Sequence, residues 1–80
     1  MLNPIHRMPE ILRAFGISRS QQYVHLKEGL CPPLVPVGKR ARGLPENEIA
    51  AINAARVSGK TDDEIRALVA KLVAARKSAS

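Results

Sequence analysis

Apolar and polar positions follow a helical period in four stretches of this 80-residue chain and an extended one in a single short stretch. Ile11, Leu12 and Phe15 fall at i, i+1 and i+4 behind Met8-Pro9-Glu10. That start puts a proline at the first helical position and an acid at the positive end of the helix dipole. Gly16 ends this first helix, predicted over 9–15. A second helix, over 19–28, starts at Ser18 with Gln21 three residues on, a capping-box spacing, and stops at Gly29 ahead of Pro32-Pro33. Tyr23 and Leu26, with Leu30 beyond, form the side expected against the first helix. Ser20, Gln21, Val24 and Lys27 face the other way. His25 lies between the two faces and is expected to pack on the proline run, while Gln22 sits awkwardly at the core edge.

Past the prolines, 34–37 reads as extended and can pair with 42–44 as a hairpin whose tip is 38–41. Pro36 then requires an edge position, because it has no N–H for a ladder. Residues 1–7 show little regular signal. Leu44-Pro45-Glu46 opens a third helix with the stripe Ile49, Ile52 and Ala55, closed by Val57 and ended by Gly59. Thr61 and Glu64 make a full capping box for a fourth helix. There Ile65, Leu68, Val69, Leu72 and Val73 repeat at i, i+3, i+4, i+7 and i+8, and Asp62 is placed to pair with Arg66. This stripe has two readings: it folds back on its own domain, or it meets a second copy. The modest core of so small a chain favours the homodimer.

Helix, glycine-containing turn, capped helix is the pattern of a helix-turn-helix. The fold expected is mainly α: a small winged helix-turn-helix domain over 1–59, with the hairpin as wing, and a C-terminal amphipathic helix with a frayed tail over 60–80. Charge sharpens this picture. Residues 1–43 carry seven cations against two acids, and residues 44–80 carry six against five, so the net charge of +6 is concentrated in the first half. A one-sided positive field suits a polyanion, although a merely solvated basic face gives the same count. Arg19 in the first turn opposes the helix dipole without an evident structural gain, a hint of function. On helix two, Ser20 and Gln21 offer donors and acceptors, and Val24 offers an apolar contact for a thymine methyl. Lys39, Arg40 and Arg42, between Gly38 and Gly43, suit phosphates or the minor groove. Gly38-Lys39 is not a phosphate loop, since Pro33 stands where its first glycine belongs and no Ser or Thr follows the lysine.

Other classes fit poorly. No paired carboxylates lie near a glycine-rich loop, and Cys31, His6 and His25 lack zinc-site spacing, so no catalysis, cofactor or metal is expected. Cys31 reads as a small buried hydrophobe. One cysteine allows no internal disulfide and fits a reducing compartment. No signal-peptide pattern is visible and no apolar run approaches the ~20 residues that cross a bilayer, so a cytoplasmic protein without a membrane partner is expected.

Met8 to Glu10, the 16–20 turn, Lys27-Glu28-Gly29, Pro32-Pro33, Gly38 to Arg40, and Gly43-Leu44-Pro45 running into Glu48-Ile49 together resemble the AlpA-type phage regulatory proteins. These are relatives of excisionases and MerR-like winged helices. The resemblance covers about 7–56 and implies little for the fourth helix. It implies a sequence-specific DNA-binding regulator of a phage or mobile element, or an excision directionality factor, acting on double-stranded DNA, with an integrase or RNA polymerase as candidate protein partners. It places helix two in the major groove through Arg19, Ser20, Gln21, Val24 and Lys27, and the wing on the backbone through Lys39, Arg40 and Arg42. The family often carries an apolar residue at Gln22, a cation at Val24 and an aromatic at Leu44; the valine weakens phosphate gripping and alters base preference. The competing class is a protein-binding adaptor that uses the stripe of the fourth helix.

Overall fold

A computed structural model describes residues 4–39 and 41–79. In chain order it contains β1 (Ile5–Arg7), α1 (Met8–Phe15), α2 (Arg19–Lys27), β2 (Val35–Val37), β3 (Ala41–Pro45), α3 (Glu46–Val57) and α4 (Asp62–Ala79). The three strands make one antiparallel sheet in the order β1-β3-β2. The fold is a small winged helix-turn-helix domain carrying a C-terminal helix.

The hairpin forms with tighter bounds than its sequence suggests: β2 starts at Val35 and not Leu34, and Ala41, expected in the tip, pairs with Val37 as Val35 pairs with Gly43. Its β2 strand is an edge, and Pro36 there is exposed, as a residue without an N–H requires. The first strand is a correction to the irregular start read from the sequence: Ile5, His6 and Arg7 pair with Pro45, Leu44 and Gly43. Three residues are too few to display a period of two, and their partner lies far along the chain. The Glu46 N–H donates to the Pro4 carbonyl at 2.8 Å, and His6 Nε2 lies 3.2 Å from Glu46 Oε1, which ties β1 to the start of α3. Gly43 is dictated by this three-strand arrangement. A Cβ there would collide with the His6 carbonyl oxygen and come within 2.9 Å of Ile5 Cγ2.

α1 begins one residue earlier than read, at Met8, and the Arg7 N–H donates to Glu10 Oε1 at 3.1 Å. Its last turn is closed by Gly16 and Ile17 N–H groups on the Leu12 carbonyl, while Asn53 Nδ2 of α3 donates to Ala14 O. In α3 the proline is the N-cap and not the first helical residue. Ile49 and Ile52 are buried and Ala55 packs beside them, but Val57 is 90% exposed and does not close the stripe. Five residues beyond Ile52, it points about 140° away from it. α4 starts with both halves of its capping box: Glu64 N–H to Thr61 Oγ1 at 3.2 Å and Thr61 N–H to Glu64 Oε1 at 2.9 Å. Arg66 pairs with Asp63, at 3.0 Å, in place of Asp62.

The core has two parts. Ile11, Cys31, Leu44 and Ile49 lie between α1, the sheet and α3, and Leu30, Ile52, Ile65 and Val69 lie between α3 and α4. Phe15 packs against both. The stripe expected to meet a second copy therefore has an internal partner. Ile65 and Val69 are buried, and Leu68, Leu72 and Val73 pack against the same cluster. The stripe thus folds back on its own domain, the first of its two readings, with Leu68, Leu72 and Val73 still partly exposed. A bidentate pair fastens the far end of α4: Arg76 Nε and Nη2 donate to Glu48 Oε2 and Oε1 of α3 at 2.8 and 2.6 Å.

Candidate nucleic-acid interface

Ser18 caps α2 as read, its hydroxyl accepting the Gln21 N–H at 3.2 Å from an extended backbone. At the other end Gly29 takes φ +76°, a left-handed value that side-chain-bearing residues adopt at a cost, and the Leu30 N–H closes on His25 O. The helix is rotated relative to the face read from its apolar residues. Gln22 is fully buried, whereas Tyr23 is 54% exposed. Both are one turn before Leu26, so either fits beside it in the core. Gln22 finds a partner there, its Nε2 donating to Cys31 Sγ at 3.3 Å, while its Oε1 stays unpaired. A buried tyrosine hydroxyl needs a partner of its own, and outside it reaches water.

The rotation defines the free face. Ser20, Tyr23, Val24 and Lys27 are all exposed and repeat at i, i+3, i+4 and i+7, with Arg19 on their flank. Tyr23 is the residue that sequence reading left out. Its polar tip, which no core of this size readily satisfies, was the available signal. Gln21 is exposed too, but it lines a different cavity of about 160 Å³, shared with Phe15, Ile17, His25, Leu30, Ile52 and Arg56. His25 thus shares a cavity with Ile52 and Arg56 of α3. Burial, and then the charge of Arg56, hold its pKa below the ordinary 6.5, against the smaller opposing pull of Glu28 and Asp62.

Between α2 and the hairpin runs an open groove of about 820 Å³. Arg19 and Tyr23 line it from α2, Arg42 from β3, and Met8, Leu26, Pro33, Leu34 and Val69 supply apolar wall. So the structure brings Arg19 and Arg42, 23 positions apart, to one cleft. Lys39 is exposed at the hairpin turn beside Gly38. Arg40 lies outside the described residues. Among the cations expected to act together, Lys27 stays on the exposed stripe of α2 and does not line the groove. Cys31 borders the groove but is buried, and burial pushes its thiol up. No described helix is long and apolar enough to cross a membrane.

The family described as Prophage CP4-57 regulatory protein (AlpA) matches residues 5–54, which run from β1 through the hairpin into α3. Comparison with curated proteins and with solved structures gave no significant match. The matched stretch exceeds half of the chain and contains the whole α2–hairpin unit with its groove, and the protein therefore belongs to the AlpA family of prophage regulatory proteins.

Proposed function

We propose that the chain is a sequence-specific DNA-binding regulator, with α2 in the major groove and the hairpin on the phosphate backbone. The observation that carries this reading is the exposed stripe Ser20, Tyr23, Val24 and Lys27, joined across one groove to Arg42 of the hairpin by Arg19. A helix of this width fits the major groove of B-DNA, and its side chains divide the work. Ser20 donates and accepts at base edges, Val24 and the Tyr23 ring meet thymine methyls, and Lys27 and Arg19 reach phosphates or guanine. Lys39, Arg40 and Arg42 neutralise phosphate and fix the register without reading sequence. Gln21 contributes from the margin of the face, next to His25.

The test is selection from a random-sequence duplex pool at ~150 mM salt, where nonspecific charge contacts are already weakened. A defined motif is the expected product. With five cations on phosphate, log K falls with log salt at a slope of roughly −4 to −5. Failure to enrich any motif, with only salt-sensitive retention, would leave a nonspecific basic domain and overturn the reading.

A further inference from the structure

α2 and the hairpin have to present their side chains at a fixed spacing, yet among the described residues α2 makes no extensive backbone approach to either hairpin strand. Their relative placement is carried by the connection between them, residues 28–34. That segment turns inward with Leu30, Cys31 and Pro32 buried, and its two ends are gripped from outside by one helix. Arg66 Nε of α4 donates to the Glu28 carbonyl, the C-cap of α2, at 2.8 Å. Arg76 Nη2, ten residues further along α4, donates to the Pro33 carbonyl at 2.9 Å, two residues before β2 begins. Both arginines are anchored in turn, Arg66 on Asp63 and Arg76 on both oxygens of Glu48, whose side chain is only 3% exposed. Val69 of the same helix reaches the wall of the groove between Arg19 and Arg42.

We propose that α4 is a clamp that sets the α2–hairpin spacing for DNA, with Arg66 and Arg76 as positioning residues that never touch the duplex. The proposal deepens the DNA-binding reading and rests on it for its consequence, but not for its geometry. An arginine suits each place, because its planar fork holds two or three acceptors in fixed directions where a lysine ammonium holds none in particular. α4 lies wholly outside the matched residues 5–54, so the device belongs to the part of this chain that the family match leaves unexplained. The free protein is held in its binding-competent arrangement in advance. Loosening the clamp lowers apparent affinity by the fraction of molecules that still hold that arrangement.

The test measures that arrangement directly. Spin labels at Ser20→Cys and Lys39→Cys, in a Cys31→Ala background, report the distance from α2 to the hairpin by pulsed dipolar spectroscopy without DNA. The unclamped variants are Arg66→Met and Glu48→Met/Arg76→Met, with Arg76→Lys as the charge-preserving control. The expected result is one narrow distance in the parent and a broadened or displaced one in all three variants, each of which still unfolds cooperatively. If the competent fraction drops to a tenth, affinity for the selected site falls about tenfold. In the unlabelled variants, where Ser20 and Lys39 are intact, the salt slope is unchanged, because no phosphate contact has been removed. Arg66→Met acts at the more exposed pair and keeps the test in hand if the double variant does not fold. Distances as narrow as the parent's in folded variants would overturn the clamp. A parent that binds no duplex would overturn the DNA reading instead, and the distance measurement would still decide the clamp.

Discussion

Gly43 shows how much a single position can be asked to carry. It stands in the central strand with Arg7 on one side and Val35 on the other, and the space where a Cβ belongs holds the His6 carbonyl. Gly43→Ala forces β1 away from β3, and overpacking of this kind costs about 1–3 kcal/mol, readable as a lower denaturant midpoint. Gln22 is the opposite case, a polar residue the core does not need. Its Oε1 has no partner and its Nε2 has only a sulfur, so Gln22→Met removes an unpaired buried acceptor at similar volume. The expected outcome is a gain of about 1 kcal/mol, from the desolvation penalty no longer incurred; a loss of that size would mean the Cys31 contact holds the helix in register. His25 adds a pH dependence. Its folded-state pKa is below its ordinary 6.5, so in the interval between the two values the unfolded chain binds more protons and stability rises with pH. That contribution is complete above the ordinary value and is lost as pH falls through it. A denaturation series from about pH 7.5 to 5 should therefore show the parent losing more stability than His25→Asn.

At the scale of elements, the side-chain caps of α2 and α4 were plain in the sequence and the buried face of α2 was not. Ser18 and the Thr61–Glu64 box start α2 and α4 where their spacing says, because capping is a local transaction between neighbours. Ser18→Ala should cost about 1 kcal/mol, and an unchanged thermal midpoint would remove Ser18 from that role. α4 shows its buried side cleanly because five apolar residues repeat on it. α2 has few apolar residues, and the inward neighbour of Leu26, Gln22, meets Cys31 nine positions beyond it, a contact that no local pattern reveals. The same limit hid β1, a strand that exists only because β3 offers it an edge. Hence the exposure of Ser20, Val24 and Lys27 was legible from the sequence, while the exposure of Tyr23 beside them was not. The hairpin makes its own prediction. Lys39→Ala/Arg42→Ala should weaken all duplexes alike and flatten the salt slope by about 2. Ser20→Ala should instead change which site is selected. Equal affinity and slope in the double variant would take the hairpin off the backbone.

Across the whole molecule, the winged unit that the family match covers is joined to a helix that the match does not reach. Apolar burial against Leu30 and Ile52 holds the first half of α4, and the Arg76–Glu48 pair ties its far part to α3. A buried pair of this kind is weak evidence for stability, since two charges left water to form it. The two requirements can be separated by substitution. Arg76→Met alone leaves a carboxylate that is almost without solvent, and breaking one side of such a pair costs about 3–5 kcal/mol. For 80 residues, whose total stability is about 4–12 kcal/mol, that is a large share. Glu48→Met/Arg76→Met removes both charges and fills the space with apolar atoms. It should return stability to the parent's level or raise it by about 1–4 kcal/mol. Urea midpoints with unchanged m-values check both results. If the single substitution costs no more than a surface change, Glu48 has another way to be satisfied and the pair is not what fastens α4. If instead the double variant is as stable as the parent, the ion pair is retained for something other than stability. The hydrogen bond that the same guanidinium gives to Pro33 says what: the fork places the end of α4 against the base of the hairpin, a placement that apolar side chains of equal stability do not specify.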